Sequence, residues 1–239
     1  MSNTHFNFKQ FSVHQEHCAM KVGTDGVLLG AWSNVDNAHR ILDVGTGTGL
    51  IALMLAQRSK ANIIAVDAEE NACAQANINF NASQWNERLS MVHSKIQDYQ
   101  TDEKFDLIVS NPPYFTGYYS SDDLSRDIAR SADALLSFED LIASAKRLLI
   151  EKGRLSLILP ADQHEKFVIF ALENGFLLRR CTKVKTKIGK EPKRVLLEFV
   201  YSKNEMELQL NELVIQSDDN GRVYTHDYIQ LTKDFYLAF

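Results

Sequence analysis

The sequence predicts an α/β fold: an open, mostly parallel sheet with helices on both faces. Three observations carry it. Short apolar runs rich in β-branched residues alternate with helical patterns between residues 40 and 160. The first run ends in Asp43-Val44-Gly45-Thr46-Gly47-Thr48-Gly49, a glycine-rich turn that opens a helix. The fourth, Phe105 to Ser110, ends in Asn111-Pro112-Pro113-Tyr114, where two prolines without an N–H stop the ladder.

In chain order, Phe8 to Val13 and Cys18 to Val22 read as short strands that can pair, and Gly23 to Gly26 as a turn with a helix cap. An apolar helix follows over Val27 to Trp32. Arg40 to Val44 is the first strong strand, and Leu50 to Arg58 the helix behind the glycines. Asn62 to Val66 is the second strand, with Asp67 at its end. Glu69 to Asn81 reads as a helix and Leu89 to His93 as the third strand. After the fourth strand, Phe115 to Asp133 is polar and without strong periodicity, as functional loops are. Phe138 to Leu149 has amphipathic helical spacing. Gly153 opens a fifth strand that runs to Leu159 and is closed by Pro160. Gln163 to Glu173 is a helix closed at Asn174-Gly175. Phe176 to Val184 and Val195 to Tyr201 predict a hairpin, hence an antiparallel pair on an otherwise parallel sheet. Leu208 to Gln216 reads as a further strand, and Tyr228 to Leu237 has helical spacing.

At 239 residues, the chain predicts one domain or one with a small extension, and 45% hydrophobic with 24% charged residues is a soluble composition. No apolar run reaches the length of a membrane span, and no signal peptide opens the chain. Cys18, Cys73 and Cys181 are far apart and form no C-x-x-C, which fits a reducing cytoplasm and argues against a metal site. The net charge of −5 does not by itself point to nucleic acid. Its distribution says more. Arg179 to Arg194 holds eight basic residues and one acid, Glu191. The segment reads either as a polyanion site or as a solvated hairpin that guards a sheet edge.

The motifs carry the chemistry. The Asn111 side-chain oxygen and the Pro112 carbonyl are acceptors for the two hydrogens of an amine on a planar ring. Tyr114 offers a face on which such a ring stacks. Asn-Pro-Pro-Tyr without its context is also a plain strand-ending turn. Asp43, ahead of the glycines, favours a cationic ligand group over a pyrophosphate. Asp67, about 20 residues past the glycines, is placed to accept from ribose hydroxyls or to cap the next helix. Lys21 and Thr24 either reach a ligand on the sheet or belong to a lid that covers it.

In this order and spacing, the glycine loop, Asp67 and Asn111-Pro112-Pro113-Tyr114 resemble the class I S-adenosylmethionine-dependent methyltransferases that act on amino nitrogens. Lys21-Val22-Gly23-Thr24-Asp25-Gly26-Val27-Leu28-Leu29-Gly30-Ala31-Trp32 and Arg194-Val195-Leu196-Leu197-Glu198-Phe199 extend the resemblance to the bacterial subgroup that modifies adenine 37 of a valine tRNA. The resemblance implies a Rossmann-like, seven-stranded sheet with the last strand reversed. It implies S-adenosyl-L-methionine as cofactor, tRNA as partner, a cytoplasmic monomer, and neither membrane nor metal. Gly45, Thr46 and Gly47 would wrap the methionine part, with Asp43 near its ammonium. Asp67 would hold the ribose, with Ala68 and Ile96 at the adenine and Lys21 and Thr24 also at the cofactor. Asn111 and Pro112 would bind the target amine, Asn111 also lining the cofactor site, and Tyr114 would stack on the flipped base. Arg126, Arg130, Lys185, Lys187, Lys190, Lys193 and Arg194 would hold the RNA. Lys95-Ile96 departs from the family, which often has an acid where Lys95 stands. The implied layout is an extension or lid over 1–34, a core over 35–201 and an extension packed on it over 202–239. A protein glutamine N5-methyltransferase is the alternative, because the same four residues suit a planar amide.

Overall fold

The computed structural model describes residues 4–16, 21–113, 136–202, 204, 206–217 and 223–239. Tyr114, Arg126, Arg130 and Cys18 lie outside them. Strands β1 (His5–Asn7) and β2 (Ser12–His14) form a hairpin ahead of helix α1 (Thr24–Trp32). Then come β3 (Arg40–Val44), α2 (Leu50–Arg58), β4 (Asn62–Asp67), α3 (Glu70–Asn81), β5 (Leu89–His93) and β6 (Phe105–Ser110). They are followed by α4 (Phe138–Leu148), β7 (Leu149–Pro160), α5 (His164–Glu173), β8 (Phe176–Lys187), β9 (Arg194–Tyr201), β10 (Gln209–Gln216) and α6 (His226–Thr232).

The main sheet has eight strands in the order β10-β8-β9-β7-β6-β3-β4-β5. β9 is antiparallel to both of its neighbours, and the remaining strands all point one way. The carboxyl ends of seven strands and the β8–β9 turn therefore share one edge. Alternation along each strand splits the core in two, as the pleat requires. Ile41, Leu107, Ile158 and Leu196 face α1, α2, α3 and α6. Leu42, Ile108, Leu157 and Leu197 face α4 and α5. α1 lies close on α2 because Gly26 and Gly30 make room: a Cβ would sit 3.0 Å from Leu50 Cδ2 at the first and 2.7 Å from Met54 Sδ at the second. That pairing brings the start of α1 to the rim where α2 begins.

The sheet holds one strand more than the seven expected. β10 continues it, parallel to β8, so part of the carboxyl-terminal extension is sheet. The amino-terminal hairpin pairs 5–7 with 12–14, within and ahead of the Phe8 to Val13 stretch, while the expected partner Cys18 to Val22 lies largely outside the described residues; Phe8 and Phe11 stack across the turn at 4.7 Å. β7 starts at Leu149 rather than Gly153 because a bulge with Lys152 at φ 64° absorbs the extra residues between the Phe105 and Leu107 pairings. It also runs through Pro160, which pairs with Arg194. α6 ends at Thr232, well before Leu237. Phe235, Tyr236 and Phe239 keep an apolar rhythm past it because they pack with Phe6, Phe8 and Tyr228.

Candidate active site

The chain runs from β3 to β4 and β5 on one side and returns through β6 on the other, so the crevice between the ends of β3 and β6 is a topological switch point. Open α/β sheets bind ligands there. The glycine loop lines one wall and Asn111 the other. Ser110 joins the walls, its buried Oγ donating to Val44 O at 2.9 Å.

The three loop glycines do different work. Gly45, Gly47 and Gly49 have φ of 70°, 55° and 80°. A Cβ on Gly45 or Gly47 would meet nothing within 4 Å, so the backbone there faces open space. A Cβ on Gly49 would lie 2.5 Å from Phe80 Cε1, so that glycine serves packing. Gly45 N donates to Val66 O at 2.8 Å and Gly49 N to Thr46 O at 3.0 Å, which sets the turn.

Two carboxylates hold the loop in shape. Asp43 is fully buried, and its Oδ2 accepts from Thr46 Oγ1 at 2.6 Å and from Ala52 N at 3.2 Å. No donor among the described residues reaches its Oδ1. Burial pushes this carboxyl up to about 7, against the pull of the Thr46 and Ala52 bonds. Asp67 Oδ2 accepts from Gly47 N at 2.8 Å and its Oδ1 from Glu69 N at 3.0 Å. Asp67 thus braces the glycine loop and starts the turn into α3. Each oxygen keeps a second lone pair, and the residue is partly exposed. An open glycine cradle, a buried carboxylate oxygen without a donor and a partly exposed acid fit a ligand with a cationic group and vicinal hydroxyls.

Asn111 is half-buried and Pro112 buried, directly past the end of β6. Ala68 is half-buried, its carbonyl 3.0 Å from His93 Nε2. Ile96 is buried with Leu42, Val44 and Val66 in the core, and Arg147 Nη2 donates to its carbonyl at 3.0 Å. The Ile96 side chain therefore forms floor more than surface. Lys95 and Asp98 are exposed at the same turn. Lys21 and Thr24 are exposed at the start of α1, on the shared rim.

The basic segment is less uniformly basic than its sequence. Arg194 Nε pairs with Asp25 at 2.8 Å and Lys185 with Glu212 at 2.7 Å. Arg180 pairs with the buried Glu198 at 3.0 Å and lies 3.9 Å from the Trp32 ring centre. Lys190 and Lys193 are exposed and Lys187 half-buried on the β8–β9 turn, at the same edge as Asn111. Among the described residues no three His, Cys, Asp or Glu side chains are grouped to hold a metal ion, and no helix is long and apolar enough to cross a membrane.

Sequence reasoning missed two residues of this site. Ser110 carries no motif beyond its place before Asn111. Asn79 lies in α3, 1% exposed; it donates to Thr48 O at 2.8 Å and to His14 O at 2.9 Å, and accepts from His14 N at 2.8 Å. It ties the amino-terminal hairpin to the glycine loop. A second buried amide one turn after Gln75, on a face otherwise made of Ala72, Cys73, Ala76 and Phe80, was its one available signal.

Sheet order and edge chemistry together define a Rossmann-like class I methyltransferase fold. A solved structure described as a predicted O-methyltransferase from Agrobacterium tumefaciens shares it, with a TM-score of 0.70 at 20% identity over 88% of this chain and 96% of that one. The chain belongs to the methyltransferase small domain family, whose model matches residues 22–187. It is 48% identical to a tRNA1(Val) (adenine(37)-N6)-methyltransferase of Phocaeicola vulgatus, over 99% of both chains. It is 47% identical to one of the same name from Aeromonas hydrophila, over 98% of both.

Proposed function

We propose that the chain methylates N6 of adenine 37 in the anticodon loop of a valine tRNA, with S-adenosyl-L-methionine as donor. The observation that carries the reading is the crevice, where Asn111 and Pro112 stand across from a glycine cradle and its two carboxylates. Full-length likeness to enzymes named for this reaction supports the substrate and leaves the glutamine alternative without support.

When bound, the cofactor supplies an electrophilic methyl carbon on a sulfonium, whose C–S electron pair returns to sulfur as the amine nitrogen attacks. Asn111 Oδ1 and the Pro112 carbonyl accept the two amine hydrogens, which draws nitrogen toward sp³ and localises its lone pair. Positioning supplies much of the rest, since the crevice turns a two-body encounter into a local one. The amine proton leaves after the methyl arrives, so no strong base is needed. Gly45, Thr46 and Gly47 with Asp43 hold the amino-acid end of the cofactor and Asp67 its ribose. Ala68 and Ile96 lie toward its adenine, and Lys21 and Thr24 close the rim. Tyr114 stacks on the unstacked base, and an anticodon loop keeps the cost of unstacking low. Lys187, Lys190 and Lys193 meet the phosphates, joined by Arg126 and Arg130. Lys185 and Arg194 contribute less because Glu212 and Asp25 already engage them. Residues 35–201 form the catalytic core, and the enzyme works in the cytoplasm as a monomer.

Labelled S-adenosyl-L-methionine with unmodified total tRNA, digested to nucleosides, tests the reading. Label in N6-methyladenosine mapped to position 37 is expected. Label only in protein, or none in RNA, overturns it.

A further inference from the structure

We propose that a second nucleobase subsite lies at the sheet edge, in an aromatic cleft that takes an unpaired base near the target adenine. It rests on the RNA reading above. The cleft has a volume of about 540 Å³ and is lined in part by Val22, Thr24, Thr186, Gln216, Tyr224 and Tyr228.

Tyr224 is the platform. Its ring stacks on Tyr228 at 5.2 Å and 23°, and meets Phe239 edge-on at 5.2 Å and 79°. Tyr228 is only 3% exposed and so holds the stack still, whereas Tyr224 keeps 38% of its surface in water. A flat ring fixed from behind and open outward costs little further ordering when a base stacks on it. Such stacking accepts any base, since every base has a π-face. The Thr186 hydroxyl and the Gln216 amide add donors and acceptors able to read a base edge.

Position and charge select the occupant. Gln216 pairs with Lys187 across β10 and β8. Thr24 precedes Asp25, which holds Arg194, and Arg194 pairs with Pro160 at the end of β7, the neighbour of β6. The cleft thus shares its rim with Asn111. Tyr224 bridges to Gln216 on the outer side of β10, the fourth strand from β6, so at the usual strand spacing the platform lies roughly 19–24 Å from the end of β6, a span of a few nucleotides within one unpaired loop. Lys21, Lys190 and Lys193 are exposed along that rim, in a chain of net charge −5. A polyanion whose bases are free to stack fits a surface that is basic at the rim and aromatic in the cleft.

The test uses anticodon stem-loop RNA, intact or with a single abasic nucleotide at each position flanking the target. Wild type, Tyr224→Ala and Tyr224→Phe are compared for RNA affinity, S-adenosyl-L-methionine affinity and melting temperature. Tyr224→Ala is expected to weaken intact RNA about ten-fold, the scale of losing one stacked base. Tyr224→Phe should bind as wild type does, with cofactor affinity unchanged. One abasic RNA should bind Tyr224→Ala and wild type equally. Equal binding of intact RNA by all three proteins overturns the subsite, as does a Tyr224→Ala defect that no abasic RNA removes. Should Tyr224→Ala fail to fold, 2-aminopurine at each flanking position reports stacking on the wild-type protein. Quenching at one position on binding supports the subsite, and quenching at none overturns it. A wild type that methylates RNA while these effects are absent removes the cleft and keeps the function; a wild type that never methylates RNA removes both.

Discussion

Two regions of one sheet edge, the β3–β6 crevice and the β8–β9 turn, are built by different rules. At the β3–β6 crevice the functional groups are held by buried, short-range bonds: Asp43 to Thr46 and Ala52, Asp67 to Gly47, Ser110 to Val44. At the β8–β9 turn the charges are exposed or half-buried, and Arg194 and Lys185 find their partners on distant segments, Asp25 and Glu212. The first arrangement fixes atoms to a fraction of an ångström, as bond-making demands. The second sets a potential, as holding a flexible polyanion demands. Single substitutions in the crevice should act steeply and independently of salt, and those on the turn gently and through salt.

The steepest expected effect is at Asn111. On the proposed function, Asn111→Ala would remove an acceptor from the target amine and should leave the fold intact. Turnover should fall about 100- to 1000-fold, the range for deleting one preorganised polar group at a reacting centre. Calorimetry should find cofactor affinity nearly unchanged. An equal loss of both would move Asn111 from the reacting amine to the cofactor and break the contrast between chemistry and binding within the crevice.

Next come the glycines. Gly49→Ala faces a φ of 80° and a 2.5 Å approach to Phe80, so it should cost about 2–4 kcal/mol of stability in urea unfolding. Gly45→Ala meets no neighbour and pays only for its φ of 70°, about 1–2 kcal/mol. The methyl added at Gly45 should instead weaken cofactor binding. If both variants lose stability alike, the division between a packing glycine and a ligand-facing one fails.

Asp43 gives a smaller effect with a definite sign. Its folded-state carboxyl is raised from 3.8 to about 7, chiefly by burial. The folded protein therefore binds a proton more readily than the unfolded chain. The contribution is fully present below pH 3.8, declines above it and is lost as pH rises through about 7. Between pH 6 and pH 8 this group alone should remove roughly 1.4 kcal/mol of stability, and Asp43→Asn should flatten that part of the profile. Urea unfolding at the two pH values measures it, and a wild-type curve no steeper than that of Asp43→Asn contradicts the raised pKa.

The same contrast explains what the sequence made legible. β5, β6 and α2 lie where expected because their apolar runs are bounded by charged or loop residues. The strand-end places of the glycine loop, Asp67 and Asn111 were legible because a glycine run, an acid and a proline pair each mark the end of an apolar run. Ser110 and Asn79 were not, since a serine or asparagine acquires its role only from the carbonyl that folding brings to it. The partners of Lys185 and Arg194 were hidden for the same reason: Asp25 lies 169 residues from Arg194 along the chain. β10 was legible as a strand but not as an eighth member of the sheet, because parallel pairing with β8 leaves no local turn signal. Helical spacing overran α6 because Phe235, Tyr236 and Phe239 pack on the amino-terminal hairpin with a similar rhythm.

The gentlest effect belongs to the turn. On the proposed function Lys187, Lys190 and Lys193 would each meet a phosphate through a screened charge, so replacing one by Ala should weaken RNA binding only a few-fold at moderate salt. Each loss should also lower the slope of log affinity against log salt by about 0.7, the value for one phosphate contact on a single strand. Lys185→Ala should change the slope less, because Glu212 already takes up its charge at 2.7 Å. Removing Glu212 instead should release Lys185 and steepen the salt dependence. Filter binding across a salt series for Lys190→Ala, Lys185→Ala and Glu212→Gln separates these outcomes. Equal slopes for Lys185→Ala and Lys190→Ala would mean that RNA displaces the Lys185–Glu212 pair, and that the turn is organised by its ligand as firmly as the crevice is by its own backbone.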